Sequence, residues 1–86
     1  MRRLIIQTEA MDDLEHWVES DRKTALRILR LIREAQRTPF EGTGKPERLR
    51  HFGRDVWSRR STREHRLVYR VLEDAIDILQ ARYHYE

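Results

Sequence analysis

Glu47, set in a run of cations, and His84, set between two tyrosines, are the side chains whose types and surroundings could move protons near neutral pH. An imidazole titrates close to neutrality and can act as an acid, and a carboxylate at a loop-to-strand junction among arginines is well placed to act as a base. Around Glu47 the arginines at 50, 59, 60, 66 and 70 are dense, and strand alternation puts Arg66 and Arg70 on one face. A one-sign cluster of this kind repels itself unless something anionic neutralises it, which favours phosphate binding over mere solubility. Glu47 also has an ordinary reading, as a solvated partner of Lys45 or Arg48. In Tyr83-His84-Tyr85 an aromatic ring can stack on a base, while Tyr83 is expected to pack into the core. Together these residues suit metal-free cleavage of RNA by its own 2′-hydroxyl. That reaction needs a base for the 2′ proton, an acid for the departing 5′ oxygen and fixed cations for the charge on phosphorus.

Competing chemistries lack their residues. His16, His51, His65 and His84 are isolated along the chain, so no metal is expected. Gly42-Thr43-Gly44-Lys45 has neither the first glycine at the right distance nor the Ser or Thr after Lys that a nucleotide-binding loop requires, and no cofactor is expected.

The elements that must position these groups are legible from periodicity. Leu4-Ile5-Ile6 reads as a first strand. Thr8 is expected to cap a helix whose stripe is Met11, Leu14, Trp17 and Val18, with Met11 and Trp17 assigned to the core. Ser20-Asp21 recaps the chain. A second helix follows with Ala25, Ile28, Leu29, Ile32 and Ala35 facing inward and Arg27, Arg30, Arg33 and Glu34 facing solvent, and it ends by Thr38 ahead of Pro39. The helices form an antiparallel hairpin. After the loop from Pro39 to Pro46 the period changes to two, and strands are predicted over Arg48 to Phe52, Val56 to Arg60, His65 to Leu72 and Ala75 to Tyr83. Leu67, Tyr69 and Val71 should meet the helices, and Arg66, Val68 and Arg70 should lie opposite. Trp57 fits either core or a stacking surface. The fold class is thus α+β: an N-terminal strand, a two-helix hairpin and a three- to four-stranded antiparallel sheet.

At 86 residues the chain has room for one domain, 1–86, and one modest core. It contains no cysteine, which suits a reducing cytosol, and no apolar run approaches the roughly 20 residues of a membrane span. A cytoplasmic protein without membrane contact is expected. Between Lys45 and Arg70 there are nine basic and three acidic residues, a local net of +6 against +3 for the whole chain, so charge is segregated.

At higher resolution, Arg37-Thr38-Pro39-Phe40-Glu41-Gly42-Thr43-Gly44-Lys45-Pro46-Glu47, Trp57-Ser58-Arg59-Arg60, His65-Arg66-Leu67-Val68-Tyr69 and Arg82-Tyr83-His84-Tyr85 closely resemble the YoeB toxins, RelE-type toxins of bacterial type II toxin–antitoxin modules. The resemblance is ordered and nearly full length. It implies a RelE-like, microbial-ribonuclease-like fold and a ribosome-dependent endonuclease that cuts A-site mRNA. It implies Glu47 as general base, Arg66 as the residue stabilising the phosphorane, His84 as general acid and Tyr85 as its positioning or stacking neighbour. Lys45, Arg50, Arg59 and Arg60 complete the expected RNA- and phosphate-binding set, with Arg50 standing where the family often has lysine. The implied partners are a YefM-type antitoxin, the bacterial ribosome, a second copy of the chain, and operator DNA reached only through the toxin–antitoxin complex. Two alternatives are a ParE-like gyrase-binding toxin, which has no use for Glu, Arg and a near-terminal His-Tyr together, and a non-catalytic nucleic-acid-binding regulator, which would bind with salt-dependent affinity and leave its nucleic acid intact.

Overall fold

In the computed structural model, which describes residues 1–82, the chain opens with β1 (Arg3–Ile6) and passes at once into α1 (Thr8–Ser20). The N-cap of α1 is Gln7 rather than Thr8, and no side chain caps it. The Gln7 amide instead donates to Asp77 Oδ1 at 2.8 Å, joining the helix start to the sheet. Ala10, Leu14 and Trp17 recur at helical spacing and are buried. Met11 and Val18, expected on the same stripe, are exposed.

Asp21 ends one helix and begins the next. Its N–H donates to Trp17 O, while its carboxylate accepts from Thr24 N at 3.3 Å and Thr24 Oγ1 at 2.7 Å, filling the free donors at the head of α2 (Arg22–Arg37). These contacts hold the Asp21 carboxyl below its ordinary range, the Thr24 hydroxyl contributing most. Ala25, Ile28, Leu31, Ile32 and Ala35 form the buried row. Leu31, not Leu29, belongs to it: Leu31 sits between Ile28 and Ala35 at steps of three and four, whereas Leu29 is turned about 100° from Ile28 and is exposed.

The remaining strands are β2 (Glu47–Arg48), β3 (Val56–Arg60), β4 (Arg66–Val71) and β5 (Ala75–Gln80). They pair antiparallel in sequence order, and β1 joins the far edge parallel to β5, giving one five-stranded mixed sheet in the order β1-β5-β4-β3-β2. The strand expected over Arg48 to Phe52 is only partly formed. After two residues the chain tightens into a 3₁₀ turn, Arg50–Phe52, and reverses at Gly53 with φ +113°. Leu49 is buried there with Val56 and Val68, packed by Phe52 and Leu79, so its apolar contact is met without an extended strand.

Leu67, Tyr69, Val71, Ile76 and Ile78 face the helices, as the alternation requires, and form the main core with Leu14, Trp17, Ile28, Leu31 and Ile32. Each fully buried aliphatic side chain in this layer contributes about 1.5–3 kcal/mol relative to exposure. Where β5 ends, α1 takes over the hydrogen bonding: Ala81 N donates to Asp13 Oδ2 at 2.9 Å and Trp17 Nε1 donates to Ala81 O at 2.8 Å. Among the described residues no helix is long and apolar enough to cross a membrane.

Candidate active site

Cross-strand partners share a face of a sheet. Glu47 pairs with Ser58, Ser58 with Val68, and Arg60 with Arg66, so Glu47, Ser58, Arg60 and Arg66 stand together on the face turned away from the helices. Two contacts define the group. Arg66 Nη2 lies 3.5 Å from Glu47 Oε2, and Arg66 Nε donates to Ser58 Oγ at 2.8 Å. The Arg66 side chain is 11% exposed and that of Glu47 60%, so a cation held from below is paired with a carboxylate open to an incoming group. Such a carboxylate can accept a proton, and the guanidinium beside it can bind the oxygen that gains charge.

Ser58 carries no role in the sequence reading. Its signal is the alternation of Trp57-Ser58-Arg59-Arg60, which sets Ser58 on the same face as Arg60 and Arg66.

Arg59 departs from its expected role. The same alternation turns it toward the helices, its side chain is wholly buried, and it cannot reach a phosphate on the open face. Its guanidinium is spent on the scaffold: Nε donates to Tyr69 Oη at 3.0 Å, Nη2 to Thr38 O and to Glu41 O at 2.9 Å, and Nη1 to Thr43 O at 3.3 Å, with Glu34 Oε1 at 3.6 Å. The Tyr69 hydroxyl in turn donates to Pro39 O at 2.7 Å. Burial pushes the Tyr69 phenol up against the opposing effect of Arg59. Glu34, expected to face solvent, accepts from Thr43 N at 2.8 Å. That hydrogen bond is the main reason its carboxyl lies below the ordinary range, with desolvation opposing and Arg59 assisting. The loop from Thr38 to Thr43 is therefore tied down from beneath.

Its last turn is also fixed from β3. Arg60 N donates to Gly44 O at 2.7 Å, and a Cβ on Gly44, whose φ is +88°, would meet Arg60 O at 2.9 Å and Arg59 Cβ at 3.0 Å. Only glycine allows this approach. Lys45 follows with φ +51° and delivers the chain through Pro46 to Glu47.

Lys45 and Arg60 are exposed beside the Glu47–Arg66 pair in the chain and in the ladder, as a phosphate-binding rim would require. Arg50 is exposed on the 3₁₀ turn beyond β2. His84 and Tyr85, and Tyr83 with them, lie outside the described residues. Trp57 is half-buried, packing against the core and meeting the Phe40 ring at 5.1 Å. Among the described residues no group of three or more His, Asp or Glu gathers to hold a metal ion. A surface cleft of about 660 Å³ lies elsewhere, lined by Met1, Arg2, Arg3, Gln36, Arg37, Glu73 and Asp74, and includes none of the residues of the charged pair.

A sequence model described as "YoeB-like toxin of bacterial type II toxin-antitoxin system" matches residues 6–85. A Mycobacterium bovis toxin YoeB is 52% identical over 85 residues, covering 99% of this chain and 100% of that protein. The solved YoeB/ParE toxin from Agrobacterium tumefaciens superposes with a TM-score of 0.90 at 44% identity, covering 96% of this chain and 99% of the other. Staphylococcus aureus YoeB, solved as a dimer, gives a TM-score of 0.89 at 34% identity over 98% of both chains. In its heterotetrameric complex with the antitoxin YefM it gives 0.85 at 34% over 99% of both.

Proposed function

Because the chain belongs to the YoeB-like toxin family of bacterial type II toxin–antitoxin systems, we propose that it acts as a ribosome-dependent mRNA endonuclease, a cytoplasmic toxin that stops translation by cutting the message in the A site. The observation that carries this reading is the Glu47–Arg66 pair on an open, cation-rimmed sheet face, with Ser58 holding the arginine. An open face suits a polymer already extended by another machine better than it suits a small molecule.

In this mechanism Glu47 takes the 2′-hydroxyl proton, and the oxygen attacks the adjacent phosphorus. Arg66, with Arg60 and Lys45 at the rim, binds the phosphorane oxygens as charge builds on them. His84 gives a proton to the 5′ oxygen as the P–O bond breaks, leaving a 2′,3′-cyclic phosphate, and Tyr85 stacks or positions the substrate beside it. Arg50 contacts the RNA backbone farther along. The ribosome supplies the constrained mRNA backbone that brings the 2′-hydroxyl in line, a positional contribution the small chain does not make alone. A YefM-type antitoxin and a second copy of the chain are the proposed protein partners, by likeness to the Staphylococcus aureus assemblies.

The test is primer extension on mRNA held in programmed ribosomes, with purified protein and EDTA only as a control. The wild type is expected to cut within the A-site codon, and Glu47→Ala or Arg66→Ala to lower the rate on the order of 10²–10⁴-fold while the circular dichroism spectrum is kept. An intact message on ribosomes that bind the wild-type protein would favour a non-nucleolytic toxin.

A further inference from the structure

We infer that two buried polar residues of β3, Ser58 and Arg59, are positioning residues for the two halves of the reaction, Ser58 aiming Arg66 and Arg59 holding the loop that presents Glu47. This rests on the nuclease reading of the Glu47–Arg66 pair.

Ser58 and Arg59 are consecutive, both have 0% relative exposure, and they point to opposite faces of the sheet. On the open face, the Ser58 hydroxyl accepts from Arg66 Nε at 2.8 Å. An arginine fixed through Nε cannot swing about its last side-chain bonds, so Nη2 stays directed at Glu47 Oε2. Ser58 is also the ladder partner of Glu47, so one residue sets the height of the base and the direction of the cation. On the helix-facing side, Arg59 gathers the carbonyls of Thr38, Glu41 and Thr43 and the Glu34 carboxylate. The next five positions after Thr38 are thereby fixed before Gly44 docks on Arg60 N and the chain turns to Glu47. A fully buried guanidinium with every direction occupied does not stretch to a substrate. What it can do is prevent the base-bearing loop from drifting, and a misplacement of about 1 Å can cost on the order of 100-fold in rate.

Ser58→Ala removes one small hydroxyl and should fold normally. Single-turnover cleavage on programmed ribosomes is expected to fall on the order of 10–100-fold at saturation, with half-saturation unchanged. Ser58→Thr, which keeps the hydroxyl, is expected to recover most of the rate. In an Arg66→Ala background, Ser58→Ala should cost nothing further. On the other side Arg59→Ala risks the fold, so Glu34→Ala is the working variant: it removes the carboxylate that holds Thr43 N and should slow cleavage in the wild type but not in Glu47→Ala. Independent losses, in which Ser58→Ala lowers the residual rate of Arg66→Ala as much as it lowers the wild type, would overturn the inference, as would a Ser58→Ala variant of wild-type speed. A protein that cuts nothing would remove the nuclease reading instead. The orientation would still be decided by NMR, where the Arg66 Nε–H should exchange with water measurably faster in Ser58→Ala; unchanged exchange would overturn it.

Discussion

At the scale of single residues, the decisive distinction is between arginines that look alike in the sequence. Arg59 and Arg66 lie seven positions apart, yet one is sealed under the sheet and the other meets Glu47 on its open face. Dense charge suggested that both served phosphate. Alternation separates them: Trp57 and Arg59 pair with the core-facing Tyr69 and Leu67, while Ser58 and Arg60 pair with Val68 and Arg66. A buried arginine was not read because burying that charge is costly, and its acceptors are backbone carbonyls of a loop whose path composition does not reveal. Glu34 makes a pH-dependent prediction. Its folded carboxyl titrates below the ordinary 4.5, so its contribution to stability is complete above that value and disappears as pH falls through the lowered one. Melting temperatures of the wild type and Glu34→Gln measured from pH 7 to pH 2 should therefore differ by a gap that closes on the acid side. A gap that stays constant would exclude the carboxylate's ionisation as its cause.

Among elements, the helices and the three long strands were legible because each keeps a single period over its length. The departures occur where a local contact outcompetes the period. Gln7 is drawn to Asp77 and leaves α1 without a side-chain cap, and Leu49 finds Val56 and Val68 by way of a 3₁₀ turn instead of a full strand. In the hairpin between the helices, Asp21 serves both the end of α1 and the start of α2. Asp21→Ala should cost about 0.5–2 kcal/mol in urea titration, typical of a lost N-cap. Tyr69→Phe tests the buried network more severely. It removes the donor to Pro39 O and the acceptor of Arg59 Nε, and should cost about 1–3 kcal/mol. A loss within about 0.5 kcal/mol of zero, the range of ordinary surface substitutions, would mean the network relaxes around the missing hydroxyl.

Over the whole molecule, charge is divided by element as well as by face. α1 carries Glu9, Asp12, Asp13, Glu15 and Glu19, while α2 carries Arg22, Lys23, Arg27, Arg30, Arg33 and Arg37 with only Glu34 opposing. The basic segment from Lys45 to Arg70 was evident in the sequence; the second one was hidden because the acidic helix beside it cancels it in the total. Binding to ribosomes should accordingly weaken as salt rises. In a plot of log affinity against log salt, Lys45→Ala and Arg60→Ala should each flatten the slope by about 1 if each contacts one phosphate. A slope unchanged by both variants would remove them from the rim.

The pairing of β1 with β5 joins the first strand made to the last. Arg3 is matched with Ala75 and Ile6 with Ile78, and the main core counts Ile76 and Ile78 among its members. During synthesis the N-terminal strand and both helices are made early but have no sheet to close against, because β5, the partner of β1, is translated only after β2, β3 and β4. At about 5–20 residues per second the delay is seconds long. Until β5 has been made and can pair, β1 has no neighbour and the helices lack the Ile76 and Ile78 side chains that complete their core, although the strands that carry the charged pair are already present.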